Sequence, residues 1–100
     1  MHIENLNTTK FLDLETAAKL IHDLYTGTGK EVYVAFQKRN GDLREMLIQE
    51  NAELLKTIVG GRAKRSDTTK TVCEKLPDGT FQFRTIPLDR IYAIAILPKV

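Results

Sequence analysis

The sequence has no tryptophan, one cysteine and two histidines among its 100 residues. A lone thiol makes no intrachain disulfide, so Cys73 excludes a disulfide scaffold and suits a reducing compartment. His2 stands at a loose terminus and His22 on the polar side of the first helix, so no zinc set of Cys and His is expected, nor any other metal site or cofactor. No apolar run approaches the ~20 residues that a membrane-spanning helix needs. Met1-His2-Ile3-Glu4-Asn5 has neither the basic start nor the apolar stretch of a signal peptide, which makes the cytoplasm the expected location. Three prolines and six glycines are too few for a collagen-like or low-complexity chain, and no internal repeat is visible.

What remains is an ordinary globular composition, 42% hydrophobic and 28% charged, sized for one domain over 1–100 with residues 1–12 as a loose tail. The net charge of +2 conceals a gradient. Residues 1–31 carry three basic residues against five acids, residues 32–61 four of each, and residues 62–100 eight against four. The excess begins where Arg62, Lys64, Arg65 and Lys70 face a single acid, Asp67. Such a cluster suits either phosphate contact, with release of counterions, or a solvated loop.

Spacing of apolar residues gives the elements. Asp13 stands as an N-cap before Leu14, Ala17, Ala18, Ile21, Leu24 and Tyr25, a single apolar stripe that predicts a helix over 13–26 ended by Gly27 and Gly29. Strands follow over 31–38 and 42–48 around Asn40-Gly41, a strong hairpin signal. A two-residue turn there would put Phe36 opposite Glu45 and Tyr33 opposite Ile48. Leu54, Leu55, Ile58 and Val59 predict a short helix over 50–59. A second hairpin, 71–76 and 80–86, turns at Asp78-Gly79, which would gather Val72, Leu76, Phe81 and Phe83 on one face. Pro87-Leu88-Asp89-Arg90 breaks the chain for one turn, with Asp89 and Arg90 expected to cap that turn. The strand 91–97 is apolar on both faces and reads as central, closing the sheet. The expected fold is therefore α+β: a small, five-stranded SH3-like antiparallel β-barrel with an N-terminal helix on its exterior and a short helix between the hairpins.

Val32–Arg44 (VYVAFQKRNGDLR) followed by Phe81–Ile94 (FQFRTIPLDRIYAI), with the shared motifs at Val34–Arg44 and Phe83–Ile91, resembles a family of short SH3-like barrel proteins of bacteriophages and prophage-bearing bacterial genomes. The resemblance spans about 40 residues around these motifs and does not reach the N-terminal helix. It implies the barrel fold and a phage-associated, non-enzymatic setting, and it brings no catalytic residue.

The residues themselves exclude most chemistry. Thr26-Gly27-Thr28-Gly29-Lys30 has one residue between its glycines where a P-loop has four before Gly-Lys, and Glu31 stands where Ser or Thr is required. A Cys73–His22 dyad has no local support, and Glu45 alone makes no acid–base pair. The expected protein is a non-enzymatic binding module. Its candidate nucleic-acid-binding residues are Lys38, Arg39, Arg44, Arg62, Lys64, Arg65, Lys70 and Arg84, with Tyr33 and Tyr92 as candidate base stackers. The competing reading is a protein-interaction module that docks on a host protein through the acidic N-terminal helix or a free strand edge.

Overall fold

The computed structural model describes residues 10–56 and 68–97. Helix α1 (Leu14–Leu24) starts where Asp13 accepts the Thr16 amide (3.0 Å) and the Thr16 hydroxyl (2.6 Å), the N-cap that the sequence predicts. Strands β1 (Val32–Gln37) and β2 (Leu43–Ile48) form the first hairpin. Helix α2 (Ala52–Leu55) is capped by Asn51, and positions 57–59 of the expected helix lie outside the described residues. Strands β3 (Thr69–Lys75) and β4 (Phe81–Pro87) form the second hairpin, and one 3-10 turn (Leu88–Arg90) leads into β5 (Ile91–Ile96).

These strands make one antiparallel sheet in the order β4-β3-β2-β1-β5. The last strand is thus an edge, not the expected central strand, and it pairs with β1 alone. Its apolar residues are accommodated differently. Ile91 is buried, α1 packs against β5, and the Leu12 amide donates to the Ile91 carbonyl (2.7 Å) on the strand's outer edge. Tyr92 sits in a bulge between Ala35–Ala93 and Phe36–Ile91, and its ring meets Phe11 at 4.8 Å.

Both hairpins differ from the expected register by one residue. Lys38 donates to the Asp42 carbonyl and accepts the Gly41 amide, so the loop holds three residues, with Gly41 at φ +92°. Leu76 accepts the Gly79 amide and donates to Thr80 in the same way, with Gly79 at φ +86°. The shift moves every side chain to the other face. Phe36 now opposes Arg44, Glu45 opposes Ala35, and Tyr33 opposes Leu47. In the second hairpin Val72 opposes Arg84, whereas Phe81 and Phe83 lie across from Lys75 and Cys73 and are only half-buried.

The core is a single cluster of Val32, Val34, Phe36, Met46, Ile48, Val72, Ile86, Leu88 and Ile91 with Ala17, Ile21 and Tyr25 of α1. Helix α1 therefore completes the core side of the sheet and does not cover an exterior, as the sequence suggested. Its exposed residues, among them Glu15, Lys19, His22 and Asp23, are the polar face of that stripe. Tyr25 also serves the sheet: its hydroxyl accepts the buried Cys73 amide (2.8 Å), next to where the β2–β3 ladder stops.

Candidate functional site

Strands β2 and β3 share a ladder only at Leu47–Lys75 and Ile48–Glu74, so the first half of β2 runs unpaired with β3. A side-chain bridge spans this gap. Glu74, 4% exposed, accepts Arg44 Nη2 at 2.8 Å on Oε2, and Arg84 Nε at 3.0 Å with Gln82 Nε2 at 3.1 Å on Oε1. The register makes this possible. Gln82 is directly opposite Glu74 and Arg84 is its diagonal neighbour on the same face.

Burial alone would raise the Glu74 carboxyl, but donation from Gln82 and Arg84 and the charges of Arg44 and Arg84 outweigh it and hold the carboxyl below its ordinary value. A carboxyl lowered in the folded state contributes stability that is present above the ordinary value of 4.5 and is lost as pH falls through the folded value. The Glu74→Gln variant is therefore expected to lose less stability than wild type between neutral pH and pH values below 4.5, measured by urea midpoints across that range. Equal acid sensitivity would place the titrating group elsewhere.

On the outer side of this bridge lies a groove of about 760 Å³. The tip of the first hairpin gives Lys38 and Arg39, β2 gives Arg44, β4 gives Arg84, and the 3-10 turn gives Asp89 and Arg90. Phe36, Met46 and Pro87 supply the apolar part, and Thr68 and Thr69 stand at the start of β3. Among the described residues five cations thus share the lining with one acid, Asp89, and Glu74 pairs with two of them. The Arg44 and Arg84 side chains keep 40% and 50% of their surface exposed, so tethering to Glu74 does not withdraw them from solvent. A smaller hollow of about 570 Å³ lies on the other side of Glu74 and shares Arg44 and Met46 with the groove.

Four of the sequence candidates, Lys38, Arg39, Arg44 and Arg84, are brought together here. Lys70 is on β3 opposite Ile86, half-buried and outside the lining. Arg62, Lys64 and Arg65 lie outside the described residues. Neither candidate stacker reaches the groove. Tyr33 is fully buried and donates its hydroxyl to Glu45 Oε2 (2.6 Å), with burial as the main cause of a strongly raised phenol pKa. Tyr92 is occupied by Phe11.

Arg90 and Glu74 were not singled out by the sequence. Arg90 was read with Asp89 as a local cap, but the 3-10 turn has no side-chain cap, and both residues line the groove instead. Nothing in the sequence sets Glu74 apart from the other three acids of residues 62–100. The Gly27 amide, in the glycine pair that mimics a phosphate loop, is taken by the Glu50 carboxylate. Among the described residues no group of three or more His, Cys, Asp or Glu is placed to hold a metal ion, and no helix is long and apolar enough to cross a membrane.

No family model, no curated protein and no solved structure matches this chain. Residues 34–44 fall on the β1–β2 hairpin and residues 83–91 on β4 through the 3-10 turn into the first residue of β5, and these segments supply Lys38, Arg39, Arg44, Arg84 and Arg90.

Proposed function

We propose that this is a non-enzymatic binding protein that grips nucleic acid by its phosphate backbone in the basic groove. The observation that carries the reading is the convergence of Lys38, Arg39, Arg44, Arg84 and Arg90 from four separate segments on one groove, where among the described residues the opposing acids are Asp89 and the Glu74 that Arg44 and Arg84 share. Cations at this density favour polyanions and release condensed counterions when they bind. The resemblance to phage proteins supports a non-enzymatic setting. The fold is read as an SH3-like barrel left open between β4 and β5, two strands at opposite ends of the sheet that only three residues connect.

The groove favours backbone over base contacts. Among the described residues its one aromatic, Phe36, is 6% exposed and belongs to the core, so none of them offers a ring there for stacking. Duplex and single strand are therefore expected to bind comparably, with little sequence preference.

Fluorescence anisotropy with labelled single- and double-stranded oligonucleotides at 50 and 200 mM salt tests this. About five phosphate contacts predict a loss of affinity on the order of 10²–10³-fold between the two salts. No binding at 50 mM salt would overturn the reading and turn the search to the protein-partner alternative. A strong preference for single strands would point to stacking outside the groove and refute the backbone mode.

A further inference from the structure

We propose that Arg44 and Arg84, held on the two oxygens of Glu74, form a discrete seat for one phosphate group, with Glu74 as its positioning residue. The seat deepens the groove reading, but its chemistry, a tetrahedral phosphate oxyanion, does not depend on the source of that phosphate.

Three observations support it. Arg84 uses Nε and Arg44 uses Nη2 on Glu74, which leaves both Nη groups of Arg84 and the Nε and Nη1 of Arg44 without partners among the described residues. Both arginines line the groove with side chains 40% and 50% exposed, whereas the Glu74 side chain that joins them is 6% exposed and does not line it. Two guanidiniums and one carboxylate carry a net charge of +1, which matches a phosphodiester monoanion. The remaining donors of two planar forks, fixed at one point, suit an oxyanion better than Lys38 or Arg39, which hang from the hairpin tip with exposed side chains. A long arginine side chain normally gives up rotamer freedom when it binds an anion. Glu74 has already restricted Arg44 and Arg84 in the unbound protein.

The consequence has a sign that simple electrostatics contradicts. Glu74→Gln removes a negative charge close to the bound phosphate, and on charge alone it should tighten binding. A positioning role predicts the reverse, about 5–10-fold weaker binding, because the guanidiniums are released into many rotamers. Arg84→Lys keeps the charge but removes the fork, and is expected to weaken binding by a similar factor.

Titration with inorganic phosphate, followed through the arginine Nε–H signals in ¹⁵N-correlation spectra of the wild-type protein, tests the seat without any variant. Arg44 and Arg84 are expected to shift at lower phosphate concentration than Arg39 and Arg90. Simultaneous shifts of all four, or Glu74→Gln binding an oligonucleotide as tightly as wild type or more so, would overturn the seat. The two readings fail separately. Selective phosphate shifts with no oligonucleotide binding would keep the seat and give it a small phosphorylated ligand. Oligonucleotide binding that ignores both Glu74→Gln and Arg84→Lys would keep the groove and remove the seat. Should Glu74→Gln not fold, the wild-type titration and Arg84→Lys decide.

Discussion

Ile21→Ala is expected to destabilise the protein by about 2–5 kcal/mol, a large share of the ~5–15 kcal/mol that a domain of this kind possesses. Ile21 is fully buried and stands at the centre of the only α1 stripe that reaches the core, between Ala17 and Tyr25. Removing its branched side chain leaves a cavity that neighbours on a five-stranded sheet cannot readily fill. The effect should not stop at stability. Helix α1 packs against both β5 and the 3-10 turn, and that turn carries Asp89 and Arg90 into the groove. A variant that still folds is expected to show weaker oligonucleotide binding alongside its lower urea midpoint. A loss below about 1 kcal/mol would mean that α1 is peripheral, and that the sheet alone holds the groove together.

Element order was readable because each element carries its own local signal. Asp13 before a helical stripe, Pro87 before a one-turn break and the alternation through Val32–Phe36 all lie in places where local chemistry and tertiary packing agree. The site was harder to read for one reason that recurs in both hairpins. Asn40-Gly41 and Asp78-Gly79 suit a two-residue turn and also a three-residue loop whose last residue is a glycine at positive φ, and the chain uses the second. A register one residue out puts Arg44 on the Tyr33 face and Arg84 on the face opposite Glu74. Only the true register sets Arg44, Glu74, Gln82 and Arg84 on one side of the sheet. Cationic residues were therefore identifiable one by one, while the carboxylate that gathers two of them was not. Tyr33 is unavailable for stacking for a related reason: an aromatic on a strand gives no sign in sequence of whether its ring is covered, and here the Tyr33 ring is fully buried, while half-buried Tyr92 packs on Phe11 outside the groove.

The largest effect on binding is expected from reversing charge at the three groove cations that Glu74 does not hold. Lys38→Glu, Arg39→Glu and Arg90→Glu together should lower oligonucleotide affinity at 50 mM salt on the order of 10²-fold or more, and reduce the steepness of the salt dependence by about three phosphate contacts. None of the three belongs to the buried cluster, and Lys38 and Arg39 are exposed, so folding should be little affected. A matched control separates the groove from the charge of the whole chain. Lys10→Glu, Lys19→Glu and Lys30→Glu change the net charge by the same amount at exposed positions that do not line the groove. Both triple variants repel a polyanion at long range, and that shared repulsion is screened within about 10 Å at 0.1 M salt. Only the groove variant also loses direct contacts. Affinity for the control is expected to drop several-fold at low salt and to recover near the wild-type value at 200 mM, whereas the groove variant should stay weak at both. Equal losses would mean that nucleic acid senses the net charge of the protein and not this groove, because a located site and a diffuse field differ in their response to salt at matched charge.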